Sequence, residues 1–349
     1  MEEYKGVSKT CPRGQPLAAS FGTDTSAGLI LSLRTSKELR ATGTMTTMRF
    51  ELGDGLSMPG VGLGTFQMSG SACESAVKLA LGAGYKHIDT AEGYRNEAEV
   101  GKGIHASGVD RASVYVTTKL WPGNPAWGMP AKTYEQTIEA CKQSASHLGS
   151  IDLYLIHAPM AGSKEARIEQ WKALVECRRL GLCKSIGVCN YGVSHLEEIA
   201  EAKLPMPAAN QLELHPMNQY AELLAYMAKH KILPIAYSSL ALLSSWREGY
   251  TEIKGTKSEE ETRAGEQAVA AVAGRLGVSP ARVLLRYALQ KGWPCLPKST
   301  QEARIRENID LDSFELGVED MKALDALERG TAFAWDAAPG QHLDLTALQ

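Results

Sequence analysis

The sequence predicts an α/β fold, a single (β/α)8 barrel with a short β-hairpin before its first strand and long loops at its carboxyl-terminal face. From residue 49 onward, eight short apolar runs alternate with amphipathic helical stretches. Polar or ionisable residues recur where these apolar runs end. Strands that alternate with helices imply parallel crossovers, and eight parallel strands suffice to close a ring around packed side chains.

The hairpin is predicted at residues 50–58, where two short apolar runs flank an Asp54-Gly55 turn. The barrel strands follow as short runs of β-type composition, at 62–64, 87–89, 114–119, 153–156, 185–188, 209–212, 233–237 and 293–296. Helical periodicity lies between them, at 72–83, 97–107, 134–148, 168–180, 196–202, 221–229 and 281–290. The last of these helices has Ser279 as its N-cap and Pro280 in its first turn.

An open doubly wound sheet is the alternative fold. It requires a glycine-rich strand-to-helix turn with an acidic residue ~20 positions later. Residues 60–64 read Gly-Val-Gly-Leu-Gly, which is glycine-rich but has G-x-G-x-G spacing and no long helix directly after it. The barrel therefore accounts better for this segment.

The chain divides into two parts by composition. Residues 1–47 are rich in Ser and Thr and show no sustained period, which predicts a disordered or irregular N-terminal extension. The same stretch is also explained as sequence upstream of a natural start at Met45 or Met48. Acidic Glu2 and Glu3 argue against a transit peptide. Residues 48–349 are predicted to form the single barrel domain.

Net charge and cysteine content narrow the functional classes. The chain has a net charge of −3 and no polybasic run, unlike proteins that bind nucleic acids or anionic membranes. Its seven cysteines form no Cys-x-x-Cys pair, which favours reduced thiols over disulfides or a zinc site. The longest apolar run near the N-terminus, residues 29–33, is far shorter than the ~20 residues of a membrane span. We therefore expect a cytoplasmic protein without metal, nucleic-acid or membrane partners.

Polar side chains stand at the carboxyl ends of successive predicted strands. They are Asp89, Lys119, His157, Asn190, Gln211, Tyr237, Ser238, Lys298 and Ser299. Each one alone is better explained by a turn, a cap or a satisfied core group. Because the strand ends of a barrel surround one opening, the whole set indicates an active site at that face.

Residues 87–97 (His-Ile-Asp-Thr-Ala-Glu-Gly-Tyr-Arg-Asn-Glu) resemble the signature of the aldo-keto reductase superfamily, in members similar to aldose reductase, 2,5-diketogluconate reductase and prostaglandin F synthase. The resemblance continues in chain order and covers residues 49 to 330. Its further motifs lie at 117–121, 152–157, 186–190, 210–213, 236–240 and 296–299. It implies a barrel enzyme, active as a monomer, that reduces aldehydes or ketones to alcohols with NADPH.

The resemblance also implies four catalytic residues, namely Asp89, Tyr94, Lys119 and His157. Hydride addition to a carbonyl leaves an alkoxide that needs a proton, and Tyr94 is expected to be the general acid. Because a phenol has an ordinary pKa of ~10, we expect the Lys119 ammonium to lower it. Asp89 would keep Lys119 charged, and His157 would orient the substrate oxygen.

The resemblance places the cofactor along the strand ends and the start of a late helix. Tyr237 would stack on the nicotinamide, Asn190 and Gln211 would bind its carboxamide, and Lys298 and Arg304 would hold the 2′-phosphate of NADPH. The full cofactor set expected is Thr65, Asp89, Cys189, Asn190, Gln211, Tyr237, Ser238, Leu240, Lys298, Ser299, Thr300, Arg304, Glu307 and Asn308.

The substrate pocket is expected to involve Phe66, Trp121, His157 and Ala158. Ala158 and Phe66 stand where many relatives carry Trp, which predicts an apolar pocket that is wider on one side. Cys189 replaces a common Ser beside Asn190. The substrate is expected to be a small carbonyl compound selected by loops at 122–130, 243–261 and 329–349. A cofactor-binding barrel with a regulatory or redox-sensing role is the alternative function.

Overall fold

The computed structural model describes residues 48–243, 259–330 and 332–334. The predicted N-terminal extension, most of the loop predicted at 243–261 and most of the tail at 329–349 lie outside these residues. The division of the chain at residue 48 therefore stays a prediction.

The predicted hairpin consists of β1 (Arg49–Glu51) and β2 (Ser57–Pro59), which pair antiparallel with Arg49 opposite Pro59. Gly55 lies in the turn with φ of 83°, a conformation that glycine adopts without steric cost. The Gly53 N–H donates to the carbonyl of Ala208 at 2.9 Å, just before a barrel strand begins. The hairpin thus packs against the amino-terminal end of the barrel, opposite the strand ends that carry the polar residues.

Seven parallel strands form one sheet in sequence order: β3 (Leu63–Gly64), β4 (His87–Asp89), β5 (Tyr115–Leu120), β6 (Leu153–Ile156), β7 (Ser185–Cys189), β8 (Ala209–Glu213) and β9 (Leu233–Tyr237). All residues of β4, β6, β7 and β8 are buried. Burial on both faces is expected where a parallel sheet is enclosed by crossover helices.

The eighth predicted strand, at 293–296, is reduced to bridges at a single residue. Cys295 forms parallel bridges to Val61 on one side and to Ala236 on the other, so this segment joins the two edges of the sheet. Pro294 and Pro297 flank it and have no N–H to donate, which prevents a longer ladder. The predicted barrel fold is confirmed, and the correction concerns only the length of its last strand.

The helices cover the outside of the sheet. They are α1 (Gly70–Gly82), α2 (Glu97–Ala106), α3 (Tyr134–Leu148), α4 (Lys164–Arg179), α5 (Val193–Glu201), α6 (Ala221–Lys229), α7 (Glu259–Leu276), α8 (Pro280–Gln290), α9 (Glu302–Ile309) and α10 (Val318–Asp325). Helix α4 begins four residues before its predicted start because the Ser163 hydroxyl accepts the Ala166 N–H and caps it. The Ser279 cap of α8 is present as predicted.

The six cysteines in the described part of the chain are all buried and unpaired. Within the same residues, no three or more His, Cys, Asp or Glu side chains are grouped so that they could hold a metal ion. No single described helix has the length and apolar character to cross a membrane; the pair Thr262–Leu276 and Pro280–Gln290 passes that test jointly but is bent by 94°.

Candidate active site

The four predicted catalytic residues meet at the carboxyl-terminal face of the barrel. Asp89 is the last residue of β4, Lys119 lies near the end of β5, and His157 directly follows β6. Tyr94 ends a short 3-10 helix, Glu92–Tyr94, in the loop after β4. The Lys119 Nζ lies 5.1 Å from the centroid of the Tyr94 ring.

Lys119 is a fully buried cation with two oxygen acceptors. Its Nζ lies 2.6 Å from Asp89 Oδ1 and donates to the Thr90 carbonyl at 2.8 Å. Burial by itself lowers the pKa of Lys119, but the Asp89 carboxylate and the neighbouring Tyr94 outweigh it and hold the pKa above its ordinary value. Lys119 is therefore charged at neutral pH, as the sequence predicted.

Tyr94 differs in one respect from expectation. Lys119 does lower its pKa, but burial acts more strongly in the opposite direction, and the net result raises the pKa of Tyr94 to about 12. The lowering expected from Lys119 is therefore present, but the sequence analysis left out the larger and opposite effect of burial. The reason is that moving a phenolate out of water costs more free energy than its attraction to one cation at this distance contributes.

His157 completes the group as a neutral side chain. Burial, together with the charge of Lys119, lowers the pKa of His157 to about 3. Its ring stands edge-on to Tyr94, with centroids 5.4 Å apart. Its Nδ1 is buried without a hydrogen-bond partner among the described residues. A neutral imidazole can donate one hydrogen bond to a carbonyl oxygen but is a poor proton donor at neutral pH.

The loop that carries Tyr94 is held by buried Asn96. The Asn96 amide donates to the carbonyls of Thr65 and Met68, both at 2.9 Å, and its oxygen accepts from the Thr90 hydroxyl at 2.7 Å. These bonds join the segment after β4 to the segment after β3. Phe66, in that second segment, consequently lies 5.1 Å from Tyr94 between ring centroids.

The residues expected around the nicotinamide form a connected set. Asn190 donates to the Cys189 Sγ and to the His157 carbonyl, each at 3.1 Å, and accepts from the Tyr237 hydroxyl at 2.7 Å. The Cys at position 189 thus keeps a hydrogen bond to Asn190. Asn190 and Ser238 both have positive φ, at 61° and 53°, so the backbone turns sharply where β7 and β9 end.

Thr65 and Gln211 connect this set to Asp89. The Thr65 hydroxyl donates to the Asp89 carbonyl at 3.0 Å, and the Gln211 amide donates to Asp89 Oδ2 at 2.8 Å. Leu240 is half-buried and precedes the short helix Ala241–Leu243. The structure therefore brings this half of the expected cofactor set together, while the contacts to a nucleotide remain predictions.

The residues expected at the adenosine lie at the start of α9 and within it. Lys298, Thr300 and Arg304 are exposed, Glu307 is half-buried and Asn308 is buried. The Ser299 hydroxyl accepts the Gln301 N–H at 3.1 Å and shapes the turn into the helix. Within the described ranges, Lys298 and Arg304 contact no acidic side chain. Two such cations beside hydroxyl groups fit a phosphate dianion.

Comparison with known proteins decides the family. The model of the aldo/keto reductase family matches residues 60–329. The chain belongs to this family. It is 39% identical over 290 residues to an aldo-keto reductase of Mycolicibacterium vanbaalenii, covering 82% of this chain and 94% of the relative. It is 34% identical over 280 residues to the methylglyoxal reductase DkgA of Escherichia coli, covering 80% and 93%.

A solved aldo-keto reductase of Bombyx mori, in complex with NADP, has a TM-score of 0.71 and 31% identity and covers 84% of this chain and 99% of that one. These findings confirm the predicted family and its barrel. They also confirm the prediction of an NADP(H)-dependent oxidoreductase that acts on carbonyl compounds. The alternative of a purely regulatory cofactor-binding barrel is not favoured.

In this aldo/keto reductase, the expected substrate residues surround Tyr94 only in part. Trp121 stands edge-on to His157 with centroids 5.7 Å apart, and Phe66 contacts Tyr94 as described above. Ala158, in contrast, is buried, with 1% of its surface exposed. Whether the pocket is wider at that position stays a prediction.

Sequence reasoning did not single out three residues near this pocket. Trp127 stacks on Trp121 with centroids 6.3 Å apart, and Glu92 and Lys132 bind the main chain of Trp121. Glu92 lies inside the recognised motif, but nothing in the sequence shows what its carboxylate contacts. Trp127 lies in the loop at 122–130, which the sequence analysis named as a selectivity segment without assigning any residue of it.

Proposed function

We propose that this aldo/keto reductase reduces small aldehydes and ketones with NADPH and uses Tyr94 as its general acid. The observation that carries the proposal is the buried Lys119, charged through Asp89 and set 5.1 Å from the Tyr94 ring. A buried ammonium beside a phenol stabilises the phenolate that remains after proton donation. The similarity to a methylglyoxal reductase supports small aldehydes among the substrates.

The residues divide the chemistry as follows. When bound, NADPH supplies the hydride that reaches the carbonyl carbon. Tyr94 Oη gives its proton to the carbonyl oxygen, and Lys119 stabilises the phenolate that results. Neutral His157 donates a hydrogen bond to the same oxygen and orients the substrate. In alcohol oxidation the Tyr94 phenolate accepts the proton.

Other side chains would hold the cofactor. Asn190, Gln211 and Tyr237 would bind the nicotinamide end, and the exposed Lys298 and Arg304 would bind the 2′-phosphate. The further cofactor residues expected from the sequence, Thr65, Cys189, Ser238, Leu240, Ser299, Thr300, Glu307 and Asn308, would complete the site. Lys298 and Arg304, which contact no acidic side chain among the described residues, are the reason to propose NADPH rather than NADH.

We also propose a cytoplasmic monomer. The six cysteines that the structure describes are buried and unpaired, which supports a reducing compartment. Mass measurement by light scattering at micromolar concentration tests the oligomeric state, and a dimer would contradict this part of the proposal.

The test is turnover of purified protein with NADPH on a panel of aldehydes, ketones and sugars. Wild type should consume NADPH, whereas Tyr94→Phe should lose about 100- to 10,000-fold in kcat, the usual contribution of general acid catalysis. NADPH affinity, measured by titration of cofactor fluorescence, should change little. Tyr115→Phe is a control because Tyr115 is a partly buried phenol at the opposite end of the β5 strand.

Two outcomes would overturn the proposal. NADPH binding without turnover on the whole panel would favour a redox-sensing role instead. A Tyr94→Phe variant that keeps more than about a tenth of wild-type kcat would remove Tyr94 as the general acid while leaving the family assignment untouched.

A further inference from the structure

The main chain of Trp121 is held by an ion pair beside the catalytic group. Glu92 Oε2 accepts the Trp121 N–H at 2.8 Å, and the Lys132 Nζ donates to the Trp121 carbonyl at 2.7 Å. Lys132 and Glu92 also bind each other, with Nζ 2.9 Å from Oε1. The three contacts form a closed ring that occupies both polar groups of one peptide residue. We call the Glu92–Lys132 pair the Trp121 brace.

The Trp121 brace connects two walls of the pocket. Glu92 begins the short helix that ends at Tyr94, so the same turn carries the brace and the proposed acid. A methyl group added at Gly93, between them, would lie 3.2 Å from Cε3 of Trp121 and 3.7 Å from Nδ1 of His157. The backbone of this turn therefore packs directly against the Trp121 ring.

The brace also sets the loop that carries Trp127. The Lys132 N–H donates to the Pro122 carbonyl at 3.1 Å and closes the base of the loop. Fully buried Gln170 donates to the carbonyls of Pro122 and Lys132, at 2.7 and 3.1 Å. Gln170 thus holds the base of the loop through two main-chain carbonyls, and the Trp121 brace holds it on the side of the pocket.

Trp121 and Trp127 form a stacked aromatic pair with ring centroids 6.3 Å apart. Their rings are inclined by only 23°. Trp121 in turn stands against His157, the residue that would orient the substrate oxygen. An aryl group attached to the carbonyl would offer this aromatic pair a ring to pack against, whereas a short aliphatic aldehyde would offer only a few methyl and methylene atoms. Neither member of the brace needs to touch the substrate to influence that contact.

We propose that Glu92 and Lys132 are positioning residues that determine how well this enzyme binds aryl carbonyl substrates relative to small aliphatic ones. The brace holds Trp121 and the base of its loop in register with Tyr94. This inference rests on the proposed carbonyl reduction and extends it to the selectivity of the same site.

The test compares benzaldehyde with propionaldehyde in wild type, Glu92→Gln, Lys132→Met and the double variant. KM for benzaldehyde should rise about fivefold in each single variant, which corresponds to the interaction energy of partly exposed charged pairs. The kcat for benzaldehyde, and both kcat and KM for propionaldehyde, should stay within about twofold of wild type. The double variant should be no worse than either single one. Lys132→Arg should recover the wild-type ratio.

A matched control uses the exposed pair of Glu139 and Lys142 on α3, with Nζ and Oε2 3.3 Å apart. Glu139→Gln and Lys142→Met make the same charge changes away from the pocket and should alter neither substrate. An unchanged benzaldehyde-to-propionaldehyde ratio in the brace variants would overturn the inference. So would an equal loss for both aldehydes, because that result would assign the pair to the catalytic geometry itself.

Acrylamide quenching of tryptophan emission provides a readout that does not need turnover. It should increase in both brace variants and stay at the wild-type level in the α3 variants. If wild type shows no NADPH turnover but quenching changes as expected, the proposed function and the selectivity built on it fail, while the positioning of Trp121 by Glu92 and Lys132 is supported. Unchanged quenching in the brace variants would show that Glu92 and Lys132 do not hold Trp121, and it would overturn the inference on its own.

Discussion

Asp89 and Gln211 lie 122 positions apart in the chain, yet the Gln211 amide donates a 2.8 Å hydrogen bond to Asp89 Oδ2. The other carboxylate oxygen of Asp89 binds Lys119. Both oxygens of a buried acid are therefore occupied, one from the neighbouring strand β5 and one from the distant strand β8. Burial raises the pKa of Asp89, and the bonds from Lys119 and Gln211 oppose that effect.

Gln211→Met should therefore destabilise the enzyme. It removes one hydrogen bond to a buried charged group, which costs about 1.5–3 kcal/mol in the free energy of unfolding. Denaturant unfolding at neutral pH measures this value. In the Asp89→Asn background the cost should be smaller, because the acceptor is no longer charged. Equal costs in both backgrounds would show that Gln211 does not stabilise the carboxylate.

Lys119→Met should be more damaging, because it leaves Asp89 as a buried charge without its cation. Removal of one partner of a buried pair costs about 3–5 kcal/mol. The double variant Lys119→Met, Asp89→Asn should recover most of the unfolding free energy but none of the activity. Recovery of NADPH turnover in the double variant would contradict a role for Lys119 in the chemistry.

Lys298→Met and Arg304→Met should weaken NADPH binding selectively. Each removes one charged donor from the proposed phosphate site, so Kd for NADPH should rise about tenfold or more, while Kd for NADH changes little. Arg306→Met is the matched control, since Arg306 lies on the same helix but pairs with Glu302 at 2.8 Å. Equal effects on both cofactors would contradict recognition of the 2′-phosphate.

Glu213 anchors residues 332–334, which we call the C-terminal segment. Its fully buried carboxylate accepts the N–H groups of Phe333 and Ala334, both at 2.6 Å, and lies 3.1 Å from His215 Nε2. Glu213→Gln replaces one acceptor by a donor, so a buried N–H loses its partner at a cost of about 1–3 kcal/mol. Trypsin cleavage after Arg329, followed by mass spectrometry, should accelerate. An unchanged cleavage rate would show that other contacts hold this segment.

Stability should fall in acid partly because of His87. Burial, with Lys119 and Arg49 nearby, lowers the pKa of His87 to about 3, whereas an unfolded His has a pKa near 6.5. Between these values the unfolded chain binds more protons, so this contribution is complete above pH ~6.5 and is lost as the pH falls. His87→Asn should reduce the slope of unfolding free energy against pH by up to about 1.4 kcal/mol per pH unit. An identical slope in the variant would contradict this assignment.

Sequence periodicity and the order of the motifs were sufficient to predict the barrel and, through the resemblance to the family, to propose the catalytic group. Short apolar runs ending in Asp89 and Lys119 indicate strands whose ends share one face, since this follows from local pattern and parallel connection alone. The length of the last strand, around Cys295, was predicted wrongly. The apolar pattern there is intact, but the flanking prolines limit its pairing with the neighbouring strands.

His215 shows a different limit of prediction from the sequence. Nothing in the sequence pairs it with a partner, and it was interpreted as structural. In the fold it stacks on Phe333 at 4.9 Å and binds Glu213, so it belongs to the anchor of the C-terminal segment. That role depends on a residue more than a hundred positions away, which local patterns do not report.

The sequence by itself determined the family and the succession of strands, and its resemblance to the family led to the proposal of Tyr94, Lys119, Asp89 and His157 as the catalytic group, because motifs at fixed spacings carry both. Only the tertiary structure decided the net pKa of Tyr94 and the bonds from Glu92 and Lys132 to Trp121. The physical reason is that desolvation and side-chain hydrogen bonds depend on distances and burial across separate loops. Spacing along the chain carries no information about either quantity.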